Sequence, residues 1–195
     1  LQDNCLFLDW STTEQEYKAS ALYEVGGKYF SSQQNFPTKP HEAWEYCYPS
    51  RHGEGYIFKR LLKHSFHKPR DILTFIKITK SYAKKQNEGR HSVDVYEQPA
   101  VSREYSDYLL GEVKNYSAFH MPKEDFDKYL KFFQYLNGRG TFDMNKFRSA
   151  FDSFLVWANK EVFSNDAYLK DSEAFLQLLY DMNIIGYRDA VDGGG

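Results

Sequence analysis

The chain has 195 residues, 25 basic and 27 acidic side chains and a net charge of −2. It is long enough for one sizeable core or two small ones, and it lacks the global basic field of a dedicated nucleic-acid binder. Cys5 and Cys47 make neither a CxxC pair nor a disulfide framework, no apolar run approaches the roughly 20 residues of a membrane span, and the first residues lack a basic-then-apolar leader pattern, so the expectation is a soluble, cytoplasmic protein with no membrane partner.

In chain order, Cys5-Leu6-Phe7-Leu8 is a short apolar run that suits a buried strand or an extended entry segment and ends in Asp9-Trp10. Ser11-Thr12-Thr13-Glu14 has the pattern of a capping box. It predicts a helix from near Thr12 to about Ser31, with Tyr17, Ala21, Leu22, Val25, Tyr29 and Phe30 along a buried stripe. Residues 32–40 have loop composition. A short helix is expected over His41–Tyr46, just after Pro40, then a loop over 49–55. A basic helix follows over Tyr56–Phe66, with Tyr56, Phe58, Leu61 and Leu62 inward. The next helix starts at Pro69, because proline is tolerated in a first turn where its missing N–H is not needed, and Lys68 before it is pushed out of the α region. It carries Ile72, Leu73, Phe75, Ile76 and Ile78 and fades into the polar tail 84–89.

Val101–Phe119 holds Tyr105, Leu109, Val113 and Tyr116 at helical spacing. Pro122 opens a helix with Phe126, Tyr129, Leu130, Phe133 and Leu136 on one face, ended by Asn137-Gly138-Arg139-Gly140. Thr141-Phe142 reads as one or two strand residues, and Asp143 as the cap of a helix with Phe147, Phe151, Phe154, Leu155 and Ala158 inward. Asp171 and Ser172 start a last helix with Phe175, Leu176, Leu179 and Met182. Asn183 is a left-handed stop, followed by a strand over Ile184–Tyr187 and a glycine turn. Aromatic residues make up 18% of the chain, which calls for thick helix-on-helix packing. The order from Pro122 onward is that of a winged helix with its wing cut short. Both ends read as cut, so a fragment of a longer protein is expected.

The stretch His67-Lys68-Pro69-Arg70-Asp71-Ile72-Leu73 puts Arg70 at the second helical position, beside free backbone N–H groups and the positive end of the dipole, a place suited to an anion. A guanidinium there can grip a phosphate with two parallel hydrogen bonds. The bland alternative is a surface arginine paired with Asp71 or a neighbouring acid.

Taken together, Leu8-Asp9-Trp10-Ser11, Ala21-Leu22-Tyr23, Lys68-Pro69-Arg70-Asp71-Ile72-Leu73-Thr74-Phe75, Tyr105-Ser106-Asp107-Tyr108-Leu109 and Ile184-Ile185-Gly186 resemble the C-terminal half of bacterial P-loop ATPases of the STAND or AAA-like kind. The resemblance covers nearly the whole chain. It implies a mainly α fold: residues 1–10 as the final strand and exit of an absent ATPase core, 11–120 as a helical lid-like domain, and 121–195 as a winged-helix domain with a short, incomplete β-wing. It also implies that Arg70 is a sensor-2-like residue approaching nucleotide phosphates. Lys68 stands where the family pattern often has another arginine, so the charge is kept and the planar fork is lost. Self-association and, in several lineages, defence against phage go with the family.

No G-x-x-x-x-G-K-[ST] phosphate loop occurs, so no catalytic residue is assigned, and ATP and Mg²⁺ are expected in the parent protein rather than on this chain. His52, His64 and His67 complete no zinc pattern. Placing Gly138 at the turn of a calcium loop puts Phe133, Tyr135 and Met144 at ligand positions, which rejects that reading, so no metal is expected. Lys59, Arg60 and Lys63, with Lys68 and Arg70, form a basic cluster that suits phosphate of a nucleotide or nucleic acid; its bland reading is a solvated helix face. The last helix carries Asp171, Glu173 and Asp181, acids that repel a phosphate backbone, so DNA is not the favoured partner.

The leading expectation is a non-catalytic regulatory region that couples nucleotide state to conformation or assembly, partnered by its missing ATPase core and by further copies or another protein. The alternative is a stand-alone helical or winged-helix module that binds DNA or a protein.

Overall fold

In a computed structural model, which describes residues 10, 12–35, 38–49, 52–86 and 93–186, the chain is mainly helical and no strand forms among the described residues. It divides into two compact units, Leu1–Leu109 and Leu110–Gly195. The expected strand at Cys5–Leu8, the Ser11 side of the capping box and the chain from Tyr187 onward lie outside the described residues.

The first unit is built from α1 (Ala21–Ser31), α2 (Pro40–Cys47), α3 (Tyr56–Lys63), α4 (Pro69–Lys85), α5 (Val93–Glu97) and the start of α6 (Pro99–Ser117). The helix expected from Thr12 does not form. Thr13 Oγ1 instead accepts the Glu16 N–H at 3.2 Å and closes one turn, which leads into a 3₁₀ turn over Tyr17–Ala19. Ser20 then sits extended and caps α1, its Oγ accepting from the Tyr23 N–H at 3.2 Å. This break lets Tyr17 turn into the core, edge-on to Tyr23 with ring centroids 5.1 Å apart. Ala21, expected inward, is exposed, while Tyr23, Gly26 and Gly27 are buried.

Those two glycines set the spacing of α1 and α2. A Cβ on Gly26 would overlap the Trp44 ring, and one on Gly27 would overlap the Pro40 carbonyl. Trp44 fills the notch, donates its Nε1–H to the Tyr23 carbonyl at 2.8 Å and stacks on the Tyr23 ring. Around it Phe30, Tyr48, Phe58 and Phe75 make a continuous aromatic core, the offset and edge-on contacts that ring quadrupoles favour. The buried Tyr48 and Thr79 hydroxyls satisfy one another: Thr79 donates to its own helix's carbonyls at 3.0 Å, so Tyr48 donates to Thr79.

The turn into α3 depends on Gly55. Its φ of 70° lies in the left-handed region, and a Cβ there would meet Tyr17. Its N–H donates to the half-buried Glu45 carboxylate at 2.8 Å. Burial pushes the Glu45 carboxyl up, and that N–H offsets the effect only in part. The helix expected to reach Phe66 ends at Lys63.

The second unit contains α7 (Lys123–Tyr129), α8 (Phe132–Tyr135), α9 (Met144–Ala158) and α10 (Ser172–Asp181). The single helix expected from Pro122 to Leu136 is interrupted at Leu130–Lys131. There the N–H groups of Lys131, Phe133 and Gln134 bond three residues back, at 3.1, 3.2 and 3.0 Å. A three-residue pitch keeps Phe126, Tyr129 and Phe132 in phase, so Phe132 is the buried residue and Phe133 is only half-buried. Asp143 caps α9 as expected, accepting the Lys146 N–H at 2.8 Å. Phe175 of α10 is the hub, with ring centroids 5.0 Å from Phe132, 5.5 Å from Phe151 and 5.6 Å from Tyr129.

Among the described residues no wing strand forms. Asn183, at φ 55°, ends α10 in a Schellman turn in which Asn183 N–H bonds Tyr180 O at 2.8 Å and Ile184 N–H bonds Leu179 O at 2.9 Å. Ile185 N–H also points to Leu179 O. The donors of a wing strand are thus spent on the helix end, and Ile184–Gly186 form no strand. Thr141-Phe142 form none either. Phe142 lies 5.9 Å from Phe147 in a stacked contact, and α9 begins two residues later.

Two predictions follow from these contacts. Gly26→Ala should lower unfolding free energy by about 1–3 kcal/mol through overpacking against Trp44, whereas Gly111→Ala, where nothing lies within 4 Å of the added carbon, should raise it by up to about 1 kcal/mol; urea denaturation measures both. Glu45→Gln keeps the acceptor for Gly55 and removes a charge that burial disfavours. Because the raised carboxyl takes up its proton in the fold before it does in the unfolded chain, the wild type gains stability as pH falls towards the usual carboxylate range. The variant should therefore have the higher thermal midpoint at pH 7, and the gap should close on acidification.

Candidate functional site

The N-terminus of α4 is set by one carboxylate. Lys68 is extended, with φ −108° and ψ 144°, and Pro69 takes the first helical position. Asp71, at the third position, is fully buried. Its Oδ2 accepts the Phe66 N–H at 2.8 Å and the Lys68 N–H at 3.2 Å, and its Oδ1 accepts the Tyr108 hydroxyl at 2.8 Å. This is the acidic half of a capping box extended to a third donor from α6. The tight connection before it is held by His67, at φ 54°, whose Nε2 lies 3.1 Å from the Leu62 carbonyl at the end of α3.

The geometry changes the expected anion chemistry in one respect. The N–H groups of Asp71 and Ile72 both point to the Lys68 carbonyl, at 3.0 and 3.4 Å, and the Asp71 carboxylate occupies the pole of the dipole. The Asp71 N–H, expected to be free beside Arg70, is therefore bonded within the turn. Arg70 itself is on the exposed side of the first turn.

Among the other cations, Lys68 is exposed, with its Nζ 5.5 Å from the Phe66 ring centroid. The three on α3 diverge. Lys59 Nζ lies 5.0 Å from the Tyr17 ring, and Lys63 pairs with Glu14 at 3.0 Å. Arg60 turns towards α5, donating to Tyr56 Oη at 3.0 Å, covering the Tyr96 ring at 4.8 Å and standing 3.8 Å from Glu97. Each α3 cation thus has an intramolecular partner, and only Lys68 and Arg70 share the first turn of α4.

Tyr105 and Tyr108 were not legible as parts of this site, since 34 or more residues of sequence separate them from Asp71. Their rings stack with centroids 5.9 Å apart. Tyr108 is the donor to Asp71, while the buried Tyr105 hydroxyl meets no hydrogen-bond partner among the described residues. Burial, aided by the charge of Asp71, pushes the Tyr105 phenol far up, so it stays protonated. Among the described residues no group of three His, Cys, Asp or Glu side chains is placed to hold a metal, and no helix is long and apolar enough to cross a membrane.

Asp71→Ala should cost about 3–5 kcal/mol, because three donors lose a buried ionic acceptor. Tyr105→Phe, which removes an unpaired buried hydroxyl, should be neutral or stabilising by about 1 kcal/mol. Chemical denaturation distinguishes the two.

The site lies within residues 25–114, the stretch matched by a family model described as the FunZ-associated C-terminal helical domain. No curated protein and no solved structure matches the chain. The family model agrees with the sequence in one respect: this part of the chain is similar to a helical domain that stands at a C-terminus.

Proposed function

We propose that the chain is a non-catalytic helical regulatory region in which Arg70, with Lys68 beside it, contacts the phosphates of a nucleotide held elsewhere. A P-loop ATPase core in the parent protein would bind ATP and Mg²⁺, and the helical region would shift as the nucleotide is bound, hydrolysed or released. The observation that carries this reading is the clamp at the start of α4. Asp71 fixes the backbone of the first turn, so the point from which the exposed Arg70 side chain leaves the helix is set by the fold. The matched family is described as associated with FunZ, which supports a domain that works alongside another part. Self-association or a protein partner fits the same role.

The other reading is a stand-alone module binding DNA or a protein. The exposed face of α10 opposes the DNA form of it, since Asp171, Glu173 and Asp181 are all exposed there and Arg148 is already engaged with Glu173 at 2.9 Å.

In the full-length protein, Arg70→Ala should reduce ATP affinity or hydrolysis by about tenfold to a hundredfold, the scale of one charge-assisted hydrogen bond, with an unchanged thermal midpoint. Arg70→Lys should recover only part of the loss. Unchanged affinity and turnover in Arg70→Ala would remove the arginine from this role.

A further inference from the structure

The Asn137–Gly140 turn takes no part in the α4 site, yet it opens onto a surface pocket in the second unit. The pocket has a volume of about 250 Å³ and lies between the end of α8, this turn and one face of α9. Lys146, Ser149 and Ser153 of α9 line it at helical spacing, with Arg139 from the turn. Its two aromatic walls are Tyr135 and Phe142.

Those walls are held by the core. Tyr135 meets Phe154 edge-on at 6.1 Å, and Phe142 stacks on Phe147 at 5.9 Å. Each therefore offers a fixed flat surface at little conformational cost. The charges are positive. Lys146 is tethered by Asp143 at 3.2 Å on the first turn of α9, but Arg139 has no acid partner among the described residues. The positive end of the α9 dipole is already met by the Asp143 carboxylate that caps it, so Arg139 is the main source of positive charge. Ser153 gives its proton to the Ser149 carbonyl at 2.9 Å, which leaves its oxygen to accept, while the Ser149 hydroxyl has no intramolecular partner among the described residues. Aromatic faces, a guanidinium and an ammonium, and hydroxyls able to donate and accept thus converge on one small volume. That volume is below the usual range of drug-sized sites, which suits a ring with a single phosphate better than a triphosphate.

We propose that this pocket binds a phosphomonoester carried on an aromatic or heteroaromatic ring, with Arg139 and Lys146 on the phosphate and Tyr135 and Phe142 against the ring. Arg139 forks onto two phosphate oxygens, the recognition for which its planar geometry is suited. The proposal does not depend on the nucleotide-sensing role proposed for Arg70.

Isothermal titration of the 195-residue chain with adenosine 5′-monophosphate, phenyl phosphate and inorganic phosphate tests it. At least one ring phosphate should bind saturably at one site, with inorganic phosphate about tenfold weaker or worse. Arg139→Ala should weaken the ring phosphate about tenfold, and Lys146→Ala should weaken it less, both with unchanged thermal midpoints because these side chains are exposed. Binding of the adenosine compound alone identifies a nucleotide as the source, and binding of phenyl phosphate as well identifies an aryl phosphate such as a modified tyrosine. Absence of saturable binding, equal affinity for inorganic phosphate, or binding that survives Arg139→Ala would overturn the assignment.

Discussion

A single buried carboxylate organises the first unit. Asp71 holds the backbone ahead of α4 through Phe66 and Lys68 and reaches α6 through Tyr108. Burying an ionised group is costly unless its lone pairs are met by good donors, and here two backbone N–H groups and a phenol meet them. The consequence runs outward. The start of α4, the backbone position of Arg70 and the link to the Tyr105–Tyr108 stack all meet at this acid.

The second unit repeats the device. Asp125, also fully buried and also at the third position of its helix, accepts the N–H groups of Ser164 and Asn165 at 3.1 and 2.7 Å and pairs with Lys128 at 3.4 Å. Lys128 also donates to the Val162 carbonyl, and Tyr129 donates to the Asn165 carbonyl at 2.8 Å. There the acid pins a loop that follows α9, where Asp71 pins the connection just before its own helix. In both cases an acid that favours the helix dipole is used to satisfy irregular backbone that would otherwise be buried with unmet donors. Around these polar points the cores are dense in aromatic rings. Trp44 in the glycine notch of α1 anchors one core and Phe175 the other.

The residues proposed to act are exposed ones. At the α4 turn Arg70 and Lys68 stand beside a helix pole already occupied by the Asp71 carboxylate, which suits the proposed sensing of a ligand held by something else. The pocket beside α8 and α9 has the opposite character: concave, with aromatic walls and cations of its own. A chain with both features has one arginine aimed outward and another set into a pocket, and their chemistries can be separated by mutation.

Local signals in the sequence determined much of the helical layout. Pro40 and Pro69 opened helices because the first position needs no N–H, Asp143 and Asp171 capped because their carboxylates reach the next free donors, and Asn183 stopped α10 because its left-handed φ closes a Schellman turn. Where the sequence reading failed, the competing interactions were set by neighbours distant in the chain or by hydrogen-bond choices that periodicity does not record. The expected strand at Ile184 lost its donors to Leu179, Phe132 replaced Phe133 when the pitch tightened, and the helix expected from Thr12 yielded to a Ser20 cap that lets Tyr17 enter the core. Arg70 could be singled out from three adjacent residues. Its support could not, because the burial of Asp71 and its bond to Tyr108, 37 residues away, exist only once the helices pack. The sequence by itself thus determined most helix starts and which arginine heads α4; tertiary structure decided where helices break, as at Ser20 and Leu130, and which buried groups meet, since that depends on contacts between groups far apart in the chain.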